Sequence, residues 1–221
     1  MHYTTLLTNA YTAAANPVNG AAMKRYMRDQ FAYFGIKTPD RREINKALKA
    51  QYGLPKVAEM PALIKALWEK PEREYQYTAI DLMQQWHKEW TAEDIHLFEY
   101  MITHKSWWDS VDGVVSSLVG PWLKKFKTAQ PAVTNQWSNS DHMWLQRAAI
   151  IFQNAYKQHT DEQLLHQYIL QHAHSKEFFI QKAIGWALRE YSKTNPESVR
   201  TFVNSHTLAP LSRREALKRI N

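Results

Sequence analysis

The 221-residue chain has no cysteine. Disulfides, thiolate nucleophiles and cysteine-ligated zinc or iron–sulfur sites are therefore excluded, which suits a reducing compartment. Glycine is scarce, at 6, and proline modest, at 9. So few glycines leave little material for tight hairpins or a phosphate-cradling loop, and no P-loop or dinucleotide fingerprint occurs. The ten histidines form no His-Glu-x-x-His motif, and there is no Gly-x-Ser-x-Gly elbow. His172 and His174 diverge on a helix, and His159 and His166 are expected at the surface, so neither metal nor other cofactor is expected. No apolar run is long enough to cross a bilayer. The N-terminal Met1-His2-Tyr3-Thr4-Thr5 lacks a basic segment followed by an apolar one. A soluble cytoplasmic monomer without a membrane partner is the expectation.

What is present is apolar and basic. Hydrophobic residues reach 44% and aromatics 13%, sufficient for a large core in an all-α chain. The net charge of +7 favours a polyanionic partner, most simply nucleic acid, although a basic soluble surface has the same composition.

Helix-start signals recur. Thr38-Pro39-Asp40, Lys70-Pro71-Glu72, Ser106-Trp107-Trp108-Asp109, Ser140-Asp141, Ser175-Lys176-Glu177 and Pro210-Leu211-Ser212 each combine a capping residue, a proline or early acid. Starts near 39, 71, 106, 141, 176 and 210 are separated by 32, 35, 35, 35 and 34 residues. Shorter amphipathic stretches lie between them, at Met60–Lys70, Ala92–Thr103, Ala129–Trp137, Asp161–His172 and Pro196–Ser205. The unit is a helix hairpin repeated about six times, and residues 1–221 read as one domain, a curved solenoid with a basic concave face. The tetrads Gln76-Tyr77-Thr78-Ala79, Gln146-Arg147-Ala148-Ala149 and Gln181-Lys182-Ala183-Ile184 align at the same period, with Val111-Asp112-Gly113-Val114 in the intervening slot. Tyr77, Asp112, Arg147 and Lys182 are thus expected in a row, unless they are ordinary edge positions of amphipathic helices.

The Ser106–Lys125 helix is apolar almost all round, yet it carries Asp112. A buried carboxylate must be paired or hydrogen-bonded, and Arg147 stands one repeat away. Trp108 precedes Asp112 by one turn, and Trp186 follows Lys182 by one turn. Most of the nine tryptophans are expected in the core. Two indoles, a carboxylate and a guanidinium on one surface suit a cationic substrate on a phosphate backbone: indole faces attract cations, a carboxylate stabilises developing positive charge, and Arg147 binds phosphate. An N3- or N7-alkylated purine nucleotide has this chemistry. Basic residues Lys24, Arg25, Arg28, Arg41 and Arg42 lie towards one end and Arg213 and Arg214 towards the other, with Arg41-Arg42-Glu43 echoed by Arg213-Arg214-Glu215. Such groups could grip a duplex, or simply form solvated faces.

Three segments resemble the AlkD family of DNA alkylation repair glycosylases: Gln30-Phe31-Ala32-Tyr33-Phe34-Gly35-Ile36-Lys37-Thr38-Pro39, Trp107-Trp108-Asp109-Ser110-Val111-Asp112 and Ala183-Ile184-Gly185-Trp186-Ala187-Leu188-Arg189-Glu190-Tyr191. The resemblance implies HEAT-like repeats cradling duplex DNA. It also implies hydrolysis of the N-glycosidic bond of N3- and N7-alkylpurines without a deep base-flipping pocket. It assigns catalysis to Asp112 with Trp108, Trp186 and Arg147, and a DNA contact to Tyr26. Lys182, Arg189, Arg41, Arg42, Arg213 and Arg214 join Tyr26 and Arg147 as candidate DNA contacts. A non-catalytic DNA-binding relative and a protein-binding helical scaffold are the competing expectations.

Overall fold

The computed structural model describes residues 3–220, and their regular secondary structure is helical apart from a single bridge between Ala32 and Glu72. No helix among the described residues is long and apolar enough to cross a membrane. The chain divides into two compact units, one ending at Thr91 and the other beginning at Ala92.

The first unit holds α1 (Tyr3–Ala13), α2 (Pro17–Tyr26), α3 (Thr38–Tyr52), α4 (Met60–Trp68) and α5 (Arg73–Gln85). The helices α1 and α3 pack together, and α4 packs on both α1 and α5. Leu7, Ile64, Leu67 and Trp68 are fully buried at this centre. Complete burial of each such side chain contributes about 1.5–3 kcal/mol. A polar thread runs through the same core. The Tyr11 hydroxyl lies 2.6 Å from both Asn45 Oδ1 and Thr78 Oγ1, and burial pushes its pKa up to about 12.

The Gln30–Pro39 segment is held by α5. Arg73 N–H donates to the Ala32 carbonyl, and the Glu74 carboxylate accepts from the backbone N–H groups of Phe34, Gly35 and Ile36. Gly35 adopts φ 85°, and a Cβ there would stand 2.1 Å from the Asn16 carbonyl oxygen. The segment is architectural, fixed by backbone bonds that need the Glu74 carboxylate of α5.

The second unit contains α6 (Asp94–Thr103), α7 (Trp108–Val114), a π-helical turn (Val115–Val119), α8 (Gly120–Lys125), α9 (Gln130–Ser138), α10 (Met143–Ile151), α11 (Glu162–Gln171), α12 (Phe178–Tyr191), α13 (Pro196–Ser205) and α14 (Pro210–Leu217). Helix α10 packs on α9 and α12, and α12 packs on α14. The helix expected over Ser106–Lys125 is thus interrupted by one π turn, directly after the segment that carries Asp112. Val111, Val114, Leu118, Val119 and Trp122 are buried along it.

The second helices of the hairpins begin at 38, 73, 108, 143, 178 and 210, so four successive spacings are 35 residues and the last is 32. The short spacing lies at the end of the array, not at its start as the sequence signals placed it. The repeated glutamine explains the regularity. Gln76 Nε2 donates to the Lys70 carbonyl, Gln146 Nε2 to that of Ser140 and Gln181 Nε2 to that of Ser175, each six residues upstream. Each amide, buried at Gln76 and half-buried at Gln146 and Gln181, ties the inter-helix turn to the helix that follows it.

The expected serine and threonine caps are corrected by the same geometry. Thr38 lies inside α3, whose N-cap is Lys37. Ser106 Oγ donates back to the Ile102 carbonyl, while α7 begins after Trp107. Ser140 and Ser175 accept from the N–H groups of His142 and Glu177, bracing turns just ahead of α10 and α12. Side-chain caps occur instead on α2, α11 and α13, from Asn16, Asp161 and Asn195. His166 is not at the open surface: it is half-buried and stacks on Phe202 at 4.0 Å.

Candidate active site

The 35-residue period carries Asp112 of α7 and Arg147 of α10 to equivalent places on neighbouring helices. Arg147 Nε donates to Asp112 Oδ1 and Nη2 to Oδ2, both at 2.8 Å. Two parallel bonds fix both planes at once, a geometry that lysine cannot supply. The third guanidinium nitrogen, Nη1, donates to the Phe179 carbonyl at 2.6 Å. Phe179 lies in the first turn of α12, its carbonyl takes this bond on its second lone pair, and its ring packs against Trp107 and Trp144. The side chain of Arg147 is 5% exposed and that of Asp112 19%. The carboxylate therefore keeps a solvent-facing edge, while its partner is enclosed.

Burial pushes the Asp112 carboxyl above its ordinary value; the hydrogen bonds and charge of Arg147 act in the opposite direction, and Asp109 adds to the rise. Desolvation prevails because little water reaches the charged form.

A cleft of about 330 Å³ opens over this pair, lined by Trp108, Asp112, Arg147, Phe178, Phe179, Lys182, Trp186 and Arg189. Trp108 and Trp186 are half-buried, whereas six of the nine tryptophans are in the core. The Arg147 guanidinium carbon lies 5.9 Å from the centre of the Trp186 ring, and the Trp186 indole N–H donates to Glu190 Oε1 at 3.3 Å. Aromatic faces, the paired Asp112 and Arg147, and two further cations, Lys182 and Arg189, thus meet in one place.

Two lining residues, and one carboxylate behind the lining, escaped the sequence reading. Phe178 is 52% exposed at the rim, and Phe179 supplies the carbonyl already described. Their signal was present: Phe178, Lys182 and Trp186 are spaced by four and share one helix face. Glu215 of α14 is the third. Its carboxylate lies 2.6 Å from Arg189 Nη1, 3.2 Å from Lys182 Nζ and 2.6 Å from Lys218 Nζ. Burial works to raise its pKa, but the hydrogen bonds from Lys218, Lys182 and Arg189 prevail and hold it down at about 2.

The remaining candidates are dispersed. Tyr77 belongs to the first unit, where its hydroxyl lies 3.4 Å from that of Tyr33. Tyr26 ends α2 and is 71% exposed. Arg42, Arg213 and Arg214 are exposed, and Arg213 donates to Val203 and Asn204. Arg41 is a correction: it is buried, and its Nη1 is bound by Asp81 at 2.7 Å and Thr78 at 3.1 Å. Its partner lies 40 positions away in α5, beyond any local pattern. The Arg-Arg-Glu echo is likewise chemical rather than structural. In the first copy the leading arginine is buried and Glu43 is exposed; in the second Glu215 is buried and both arginines are exposed. Among the described residues no group of three histidine, aspartate or glutamate side chains is placed to hold a metal ion.

Residues 7–220 match the sequence model of the family described as DNA alkylation repair enzyme. The chain is similar to a solved structure from Enterococcus faecalis, described as a predicted DNA alkylation repair enzyme. The two share 37% identity over 93% of this chain and 96% of the other, with a TM-score of 0.86. AlkD2 from Streptococcus mutans has a similar fold at 16% identity, with a TM-score of 0.62 over 80% of this chain and 89% of the other. No curated protein matches the chain. A match along nearly the whole length and a relative sharing more than a third of its residues lead to one conclusion: the chain belongs to the DNA alkylation repair enzyme family.

Proposed function

We propose that the protein is a DNA glycosylase that hydrolyses the N-glycosidic bond of cationic N3- and N7-alkylated purines in duplex DNA. The observation that carries this reading is the Asp112–Arg147 pair, a carboxylate locked by two 2.8 Å bonds in a cleft lined by Trp108 and Trp186. Alkylation gives the purine a positive charge, so the base departs neutral with the bonding electron pair and needs no acid. The positive charge passes to C1′ and the ring oxygen of the sugar. Asp112, already oriented, stabilises that oxocarbenium ion without reorganising at the moment of reaction. Water then adds to C1′ and loses its proton to Asp112 or to solvent. The indoles of Trp108 and Trp186 bracket the cationic sugar. Lys182 and Arg189 take a flanking phosphate.

An Asp112→Asn protein keeps the shape and one acceptor oxygen but loses the charge. Release of 7-methylguanine from duplex DNA should fall by about 10²–10³-fold, the range for removing one stabilising group from a preorganised site. Parental release by a folded Asp112→Asn protein would exclude the mechanism. Duplex binding without release by the parent would favour the non-catalytic DNA-binding reading. Failure to bind duplex at all would favour the scaffold.

A further inference from the structure

We propose that Glu215 is a positioning residue that aims Lys182 and Arg189 into the cleft as a two-pronged clamp for a DNA phosphate; this rests on the glycosylase reading. Lys182 and Arg189 stand seven residues apart on α12, so two turns of helix place them along the same side. Long cationic side chains in that position would ordinarily sample many rotamers, and ligand binding would have to order them. Here both converge on one carboxylate from α14, Glu215 Oε1 on Lys182 and Oε2 on Arg189. Glu215 itself is 5% exposed, while Lys182 and Arg189 are 37% and 23% exposed. The anchor is enclosed and the cations face out. Both cations also line the Asp112 cleft, whereas Glu215 does not.

The packing of the two helices makes this reach possible. Gly185, between the two cations on α12, lets α14 approach so closely that a Cβ there would lie 2.4 Å from Glu215 Cβ and 2.9 Å from the Ser212 carbonyl oxygen. Ser212 Oγ independently ties α14 to α12 by donating to the Gln181 carbonyl at 2.9 Å. Lys218 also bonds to Glu215, so three cations meet one carboxylate and the cluster retains two positive charges. A phosphodiester carries one negative charge, so the cluster still attracts a backbone phosphate after its pairing with Glu215.

The proposal predicts the sign of a substitution. A carboxylate close to DNA that positioned nothing would repel the backbone, and Glu215→Gln would tighten binding. A positioning carboxylate does the reverse. With full-length protein and undamaged duplex, Glu215→Gln should weaken binding about 10-fold at low salt. It should also make the dependence of log affinity on log salt shallower by about one phosphate contact. Ser212→Ala loosens the same helix contact without touching the cations. It should lower thermal stability while leaving affinity and salt slope at parental values. In a Lys182→Gln/Arg189→Gln background, Glu215→Gln should cause no further weakening. Should Glu215→Gln fail to fold, Glu215→Asp retains the charge with a shorter reach and should weaken binding in the same direction. Equal or tighter binding by either Glu215 variant, or equal weakening by Ser212→Ala, would overturn the inference while leaving the glycosylase reading intact. A parent that bound no duplex would overturn both.

Discussion

Asp112 and Glu215 are two carboxylates of the same unit that are opposite in titration. Burial raises Asp112 above its ordinary value of 3.8 in spite of Arg147, whereas the cations around Glu215 hold it at about 2. In the proposed mechanism Asp112 acts as the ionised carboxylate, so turnover should decline as pH falls through its raised pKa. Glu215, with a depressed pKa, contributes stability that is fully present above the ordinary glutamate value and is lost only as pH falls towards about 2. On that mechanism, acidification should remove catalysis first and the α12–α14 tie later. Single-turnover release of 7-methylguanine, corrected for spontaneous loss, should show an acid limb centred above 3.8, with the protein still folded and bound to duplex there. Loss of folding in step with loss of turnover would contradict that order. The residual turnover of Asp112→Asn should lack this limb altogether.

At the scale of the element, the contact between α12 and α14 is set by one missing side chain. Gly185→Ala would drive a methyl group to within 2.4 Å of Glu215 Cβ and 2.9 Å of a backbone carbonyl, neither of which can rotate away. The helices must separate, at a cost of about 1–3 kcal/mol. Denaturant unfolding should show that loss as a lower midpoint with an unchanged slope; an unshifted midpoint would mean that α14 can move freely. The period that places these helices was legible in the sequence. Gln76, Gln146 and Gln181 recur because each performs the same closure six residues back along the chain. Asp112, Arg147, Trp108 and Trp186 were legible for a related reason, since one period, one turn or the two together relate each to the next. Glu215 was not, because α14 begins 32 residues after α12 and falls out of register with the row. Arg41 was misjudged because burial is decided by Asp81 of another helix, and sequence spacing carries no record of that pairing. The π turn after α7 left no signature either, since the apolar residues on both sides of it fit an uninterrupted helix equally well.

For the molecule as a whole, charge decides which surfaces DNA can use. The unit ending at Thr91 carries thirteen lysines and arginines against nine acids, and the unit from Ala92 carries fifteen against twelve. The surplus is shared, so neither unit alone accounts for the basic character. Each also offers an exposed arginine that does not line the Asp112 cleft, Arg42 in the first and Arg214 in the second. If duplex DNA contacts both units, affinity must fall steeply with salt, and each arginine must contribute separately to that slope. Arg42→Gln and Arg214→Gln should each weaken binding similarly on all sequences and reduce the salt slope by about one, with the two effects additive in the double variant. Titrations of undamaged duplex at several salt concentrations would measure this directly. A slope that responded to Arg214 and ignored Arg42 would confine the DNA footprint to the unit that carries Asp112. The surplus charge of the other unit would then need a different explanation, such as solubility.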